Sequence, residues 1–237
     1  MILNKLPPYM DILANKIYKS SWFSGILDDN RVTTILNLGA NRRIMKDLLR
    51  DITKNAHVLQ IGLTFGDEID AVYEKVYKHG KFDIFDVSEQ QIKRAETKYR
   101  HHRINITSYN AAIPWDEKYD VIICYHLLHE LPLKTRQAVM DNALNSLTNG
   151  GKAIFVDFSE PETFNPLKYP LFWFNRLFRP FCESLWNAPL EDFCSVKEEF
   201  RWQHTYYWGR IYQKVVAVRK ILSNEDVLKL TRLFREK

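Results

Sequence analysis

Cysteine is scarce, and the three present, Cys124, Cys182 and Cys194, show no paired metal-binding spacing and form no disulfide framework. An odd count suits a reducing compartment, and a cytoplasmic location is expected. No stretch reaches the roughly 18 consecutive apolar residues of a spanning helix, so an integral membrane protein is not expected. Residues 1–9 lack a basic start followed by an apolar core, and no secretory leader is expected. Internal repeats and low-complexity linkers are missing as well. Positive charge is in mild excess, formally +5, without a long basic run. Nucleic acid is therefore not an expected partner, and no specific protein partner is indicated. A mildly basic surface beside aromatic residues does suit an anionic bilayer face, so peripheral contact with the inner membrane surface is an expectation.

What is present is a globular pattern. The chain has 237 residues, 46% of them hydrophobic and 27% charged, enough for one core and too apolar for wholesale disorder. The organisation reads as a helical N-terminal cover over 1–54, an α/β domain over 55–219, and a C-terminal helix within 220–237. Helical spacing of Ile44, Leu48, Leu49 and Ile52 predicts a helix over Asn41–Ile52. Strands are predicted at His57–Ile61, Lys81–Val87, Ile104–Tyr109, Tyr119–Cys124 and Lys152–Phe158. Helices are predicted at Ile69–Tyr77, Ser88–Tyr99, with Ser88 as N-cap, and Leu133–Leu147, closed by a glycine cap at Asn149-Gly150-Gly151. Strands that alternate with helices imply a mostly parallel sheet with helices on both faces. Residues 159–195 break that alternation with five prolines around an aromatic helix. Two late strands, Phe200–Trp208 and Ile211–Arg219, then bring the sheet to seven strands, and Glu225–Phe234 reads as a terminal helix.

The turn Gly62-Leu63-Thr64-Phe65-Gly66 after the first strand is the strongest local feature. Glycines let a ligand approach the backbone, and a helix N-terminus offers unpaired N–H groups. An acid about 20 residues further on, at the end of the second strand, can grip a ribose diol. Asp86 stands there. By itself such a turn is also an ordinary strand-to-helix connection; the turn, the acid and the strand order together point to a nucleoside ligand.

These segments resemble the class I S-adenosylmethionine-dependent methyltransferases, whose fold is Rossmann-like. Val58–Gly66 is similar to their glycine motif, Phe82–Asp86 to their ribose strand, Asn110–Trp115 to their adenine-side loop, and Leu147–Lys152 to the turn before their fifth strand. The resemblance implies S-adenosyl-L-methionine as cofactor. It implies contacts from Gln60, Gly62, Thr64, Gly66, Asp86, Val87, Asn110, Ala111, Ala112, Ile113 and Tyr125. Gln60, Thr64 and Asn110 depart from the family, which usually has an acid, a glycine and an aspartate there.

A closer resemblance runs nearly end to end. Leu38–Arg43, Val58-Leu59-Gln60, Leu127–Glu130, Val156-Asp157-Phe158, Asn165–Tyr169, Phe181–Trp186 and Tyr212–Ala217 are similar to the rhodoquinone-forming, methyltransferase-like enzymes. That resemblance implies an isoprenoid quinone substrate, ubiquinone, whose ring methoxy group is replaced by an amino group. It implies S-adenosylmethionine as amino donor and a requirement for manganese. Plain methyl transfer to a quinone or other hydrophobic acceptor is the alternative, and a catalytically dead accessory protein is a third reading.

The residues suggest where the chemistry would sit. His126, His129 and Glu130 follow the fourth strand at the edge where open α/β sheets bind ligands, and Asp157 closes the fifth. Imidazole and carboxylate suit a divalent ion, so these four are the candidate metal ligands. His129 and Glu130 are also candidate catalytic groups, either through the metal or as a general base. Neutral Gln60 either keeps the cofactor amine unprotonated, as a missing carboxylate would, or hydrogen-bonds the cofactor. His204 is an outlying histidine, read as a surface or core residue. The aromatic segment Tyr169–Arg179 supplies Tyr169, Trp173 and Phe174 as candidate substrate contacts, lining an isoprenoid pocket, lying in a bilayer interface, or packing as a lid.

Overall fold

A computed structural model describes residues 40–64, 66–178 and 181–220. The helices expected within residues 7–39 and at Glu225–Phe234 lie outside the described residues. Helix α1 spans Ala40–Asp51. Its residues Ile44 and Leu48, with Ile52 just beyond, recur every fourth position and are fully or almost fully buried, each burial being worth about 1.5–3 kcal/mol. Strands β1 (His57–Ile61), β2 (Lys81–Asp86), β3 (Ile104–Ser108), β4 (Tyr119–Tyr125) and β5 (Leu147–Phe158) are parallel neighbours. Helices α2 (Glu68–Val76), α3 (Glu89–Lys98) and α4 (Leu133–Asn145) connect them. A helix α5 (Lys168–Phe178) and short 3-10 turns fill the segment before β6 (Phe200–Tyr207) and β7 (Tyr212–Arg219). The sheet order is β3-β2-β1-β4-β5-β7-β6, and β7 runs antiparallel to both neighbours.

Side chains alternate along each strand and divide the core in two. Val58, Val121, Ile123, Tyr125, Ile154 and Val156 face α1 and α2. Leu59, Ile61, Ile122, Cys124, Ala153 and Phe155 face α4. Helix α1 is tied to the far side of the sheet by Lys214, whose Nζ lies 2.7 Å from Asp51 Oδ2 and donates to Asp47 O at 3.0 Å. Tyr207 adds a bond to Asp47 Oδ2 at 3.1 Å. The β6–β7 turn runs through Trp208, Gly209 and Arg210, three consecutive residues of positive φ.

Helix α4 ends at Asn145, with Ser146 rather than a glycine at its C-cap. The expected cap at Gly150 is instead part of a bulge inside β5. Tyr119 pairs with Leu147 while Val121 pairs with Lys152, so five steps of β5 span two of β4. The excess loops out through Gly150, at φ +80°, and Thr148 Oγ1 closes it by donating to Asp120 Oδ1 at 2.8 Å. Ser88 caps α3 as expected, its Oγ accepting from Gln91 N at 3.4 Å.

Candidate active site

The C-terminal ends of β1, β2 and β4 meet at the glycine turn. Gly62 leaves β1 with φ +87° and donates to Phe85 O at 2.8 Å. A side chain there would be strained and would sit 3.4 Å from Leu127 Cδ2. Asp86 reaches across from β2. Leu63 N donates to its Oδ2 and Ser88 N to its Oδ1, both at 2.7 Å. Burial pushes the Asp86 carboxyl up to about 6, opposed by those two amides and reinforced by Glu130. A carboxylate keeps further lone pairs after two such bonds, so Asp86 is oriented without being used up. Val87 stands beside it, partly exposed.

Gln60 is almost wholly buried. Its Nε2 donates to Gly62 O at 3.2 Å and lies 3.4 Å from Thr64 Oγ1. The side chain thus braces the turn from below, and Thr64 is held by it. Arg94 Nη2 donates to Thr64 O at 3.3 Å and Lys98 Nζ to Gly66 O at 3.0 Å, so α3 clamps the outer half of the turn.

The loop after β3 is self-contained. Asn110 Oδ1 accepts from Ala112 N at 3.0 Å, and Asn110 O accepts from Ile113 N at 2.9 Å. Asn110 therefore spends its side-chain oxygen on the turn. Ala111 is buried, its carbonyl held by Asn142 Nδ2 at 3.0 Å. Beside Ala112 and Ile113 stands an aromatic wall: Phe85 lies 4.9 Å from Tyr109 and 5.5 Å edge-on from Trp115 between ring centres. The buried Trp115 Nε1 has no hydrogen-bond partner among the described residues. Pattern reading does not single out this wall, although an aromatic residue precedes both Asp86 and Asn110 at the ends of their strands. A glycine bend, an oriented acid and an aromatic wall with an unsatisfied N–H fit a nucleoside ligand such as S-adenosylmethionine.

His126, with φ +51°, and His129 come together with Asp157, ring nitrogens and carboxylate oxygen all within 4.8 Å of one another. Glu130 stands to one side, its Oε1 3.9 Å from His129 Nε2. Asp157 is wholly buried. Its Oδ1 takes His129 Nδ1 at 2.9 Å and Phe158 N at 2.8 Å, and its Oδ2 takes His129 N at 3.2 Å. Burial would raise its pKa, but the charge and hydrogen bond of His129, then His126 and the Phe158 N–H, outweigh this and hold Asp157 below the usual carboxylate range. An ionised Asp157 accepts only, so His129 Nδ1 carries the proton and Nε2 faces Glu130. This is the carboxylate–histidine arrangement that orients an imidazole toward a divalent ion, and the two imidazoles and nearby carboxylates fit manganese.

The turn bearing His129 and Glu130 hangs on Arg136 of α4. That guanidinium is fully buried. It donates to Leu128 O at 3.0 Å and Leu131 O at 3.1 Å, and across to Phe181 O at 2.9 Å and Ser184 Oγ at 2.8 Å. In α5, Tyr169 and Trp173 are 70% and 61% exposed, and Phe164 ahead of them 98%; they face outward rather than into the cleft. The Phe174 side chain lies outside the described residues. His204 sits on β6, paired with Glu191 Oε2 at 3.0 Å, away from the cleft. No helix among the described residues is long and apolar enough to cross a membrane.

Residues 59–153 match a family model described as a methyltransferase domain. No curated protein matches in sequence. Among solved structures, the N-methyltransferase NodS from Bradyrhizobium japonicum WM9 with S-adenosyl-L-homocysteine is 15% identical, covering 91% of this chain and 100% of that one at a TM-score of 0.56. An O-methyltransferase family protein from Burkholderia thailandensis is also 15% identical, over 90% of this chain and 70% of that one, with a TM-score of 0.58. LepI in complex with S-adenosylmethionine is 13% identical, over 74% of this chain and 46% of that one, with a TM-score of 0.57. At such identities the likeness is one of fold. The chain is built on the class I methyltransferase fold, and its residues 59–153 are similar to a methyltransferase domain.

Proposed function

We propose that the protein is an S-adenosylmethionine-dependent transferase whose acceptor is an isoprenoid quinone, and that it converts ubiquinone to rhodoquinone. The observation that carries the cofactor assignment is Asp86, fixed by the Leu63 and Ser88 amides beside the Gly62 bend, where it would take the ribose hydroxyls. Gly62, Thr64 and Gly66 would line the methionyl side, and Ala111, Ala112 and Ile113, with Trp115, the adenine side. The quinone and the amino transfer rest on the family resemblance described above.

When bound, the cofactor supplies the transferred group, and manganese supplies Lewis acidity toward the quinone oxygens. The chain's own part is positioning. Asp157 fixes the His129 ring, His129 Nε2 and Glu130 would hold the ion with help from His126, and Gln60 keeps the glycine bend in shape. The exposed Phe164, Tyr169 and Trp173 with Arg176 are read as the contact with the inner-membrane surface from which a long-tailed quinone would be drawn. The second reading, methyl transfer to the same class of acceptor, is favoured by the methyltransferase-domain match.

The test is to incubate the pure protein with short-tail ubiquinone, S-adenosylmethionine and manganese, and to weigh the product. Aminated quinone supports the leading reading. A methylated product with S-adenosylhomocysteine selects the second. Asp86→Asn should weaken cofactor binding by about 10-fold or more, the scale of one lost charge-assisted hydrogen bond; unchanged affinity refutes the cofactor site itself.

A further inference from the structure

Three buried polar groups on the α1/α2 face of the sheet have no role in the site described so far. Glu68 opens α2, directly after the glycine turn, and Tyr125 is the last residue of β4. They are 4% and 3% exposed. Glu68 Oε2 and the Tyr125 hydroxyl are both buried without a hydrogen-bond partner among the described residues, as is Asn41 Oδ1 of α1. Asn41 Nδ2 lies 3.5 Å from the other Glu68 oxygen, and Glu68 and Tyr125 act electrostatically on one another. An unsatisfied polar atom in a core costs about 1–3 kcal/mol, and two near the ligand edge of the sheet, close enough to act on one another electrostatically, are dearer than a fold needs. An apolar residue of the same size would suit position 68, since Val72, one turn further along α2, is already buried.

We propose that the Glu68 carboxyl and the Tyr125 hydroxyl are a paired hydrogen-bond donor subsite for a ring oxygen of the acceptor. This rests on the quinone-type acceptor proposed above. A quinone carbonyl or methoxy oxygen only accepts, so its complement is a pair of O–H groups. A phenol stays protonated at neutral pH. Glu68 holds its proton below neutral pH: burial, opposed by its own backbone N–H and by Lys98 of α3 and reinforced by Asp67 and Asp70, pushes it up to about 7. Asn41 of α1 and Tyr125 of β4 stand near it without adding positive charge, and Tyr212, Asp67 and Tyr207 act electrostatically on Tyr125. The subsite takes Tyr125 out of the expected cofactor contacts and places it on the acceptor side, across the sheet from the Trp115 wall.

The experiment titrates the full chain with two probes, short-tail ubiquinone and a methoxyphenol, each with S-adenosylhomocysteine present, and separately with S-adenosylmethionine alone. The variants are Tyr125→Phe, Glu68→Met and Glu68→Gln, with circular dichroism to show that each folds. Tyr125→Phe and Glu68→Met should each weaken the ring probe about 10-fold, with S-adenosylmethionine affinity held within about twofold. Wild-type affinity for the probe should fall as pH rises through about 7. Glu68→Gln, which keeps an N–H donor and cannot ionise, should bind the probe evenly across that range, a behaviour that a packing role would not produce. If the wild type binds the methoxyphenol and not the quinone, the quinone reading fails while the subsite is judged on the methoxyphenol. The subsite is overturned if the variants weaken S-adenosylmethionine instead, if they change neither ligand, or if the wild type binds neither ring.

Discussion

Arg136 is the residue whose removal should be felt most widely. Its side chain is fully buried and donates to three carbonyls, Leu128, Leu131 and Phe181, and to the Ser184 hydroxyl. Burial lowers the guanidinium pKa, and Asp157 and Cys182 partly restore it. Arg136→Met keeps the stem and removes all four bonds at once. Leu131 O is left dry at a cost of about 1–3 kcal/mol, while Leu128 O keeps Leu131 N at 3.2 Å and Phe181 O keeps the Ser184 hydroxyl at 2.6 Å; hydrogen bonds to a charged group contribute about 1.5–3 each. Relief of the guanidinium's desolvation and entry of water offset part of that, and a net loss of about 4 kcal/mol is expected. Urea unfolding at neutral pH measures it. Arg136→Lys, a point charge without the planar fork, should fall between the two. Because the bonds to Leu128 and Leu131 flank His129 and Glu130, turnover should drop further than cofactor affinity does. A loss under about 1 kcal/mol with turnover intact would refute the reasoning, showing that these carbonyls find other partners.

Stability should also carry the signature of Glu68. Between its ordinary value of 4.5 and about 7 the folded state holds a proton that the unfolded state has released, so stability falls as pH rises, by about 3 kcal/mol in all. Glu68→Gln should flatten that slope in denaturant titrations from pH 4.5 to 8, and an equal slope in both proteins would show that Glu68 is solvated. At the surface, Tyr169→Ser and Trp173→Ser should each reduce binding to vesicles containing anionic lipid by several-fold, the area of an exposed aromatic setting the scale. Wild-type protein that stays in solution with such vesicles sinks the membrane contact and leaves α5 as a lid.

The strands were legible because each is a short apolar run with period-2 or continuous burial, and His57–Ile61 lies where the pattern puts it. The β5 bulge was not, because Asn149-Gly150-Gly151 reads equally as a helix cap; only the pairing with β4 shows that the glycine opens a loop inside a strand. Asp86 was legible from its distance to the glycine turn. The sequence reads Gln60 as a cofactor contact; that its Nε2 braces Gly62 and Thr64 depends on a side-chain rotamer and not on spacing. Arg136 and Glu68 carry no local signal at all. One looks like a solvent-facing charge on an amphipathic helix and the other like an ordinary acid in a first helical turn. Each becomes unusual only when strands distant in sequence close over it.

The same alternation that builds the core also divides the labour at its edge. Phe85 and Ala111 pack with the α4 face, where Tyr109 and Trp115 complete an aromatic wall. Tyr125 turns to the opposite face, toward α1 and α2. Between these two faces Asp86 and the Gly62 bend stand at the rim of the sheet. In the proposed site a nucleoside held there would have its base on one side of the sheet and its reactive end at β4, where the parity of a single residue decides whether a phenol or a thiol faces α1 and α2. A one-residue slip of β4 would exchange Tyr125 for Cys124 at that place. β4 is apolar on both faces, so burial alone does not forbid the slip; Asp120 does, accepting from His57 N at 2.9 Å and from Thr148 Oγ1 at 2.8 Å, and so helps to fix which chemistry the edge presents.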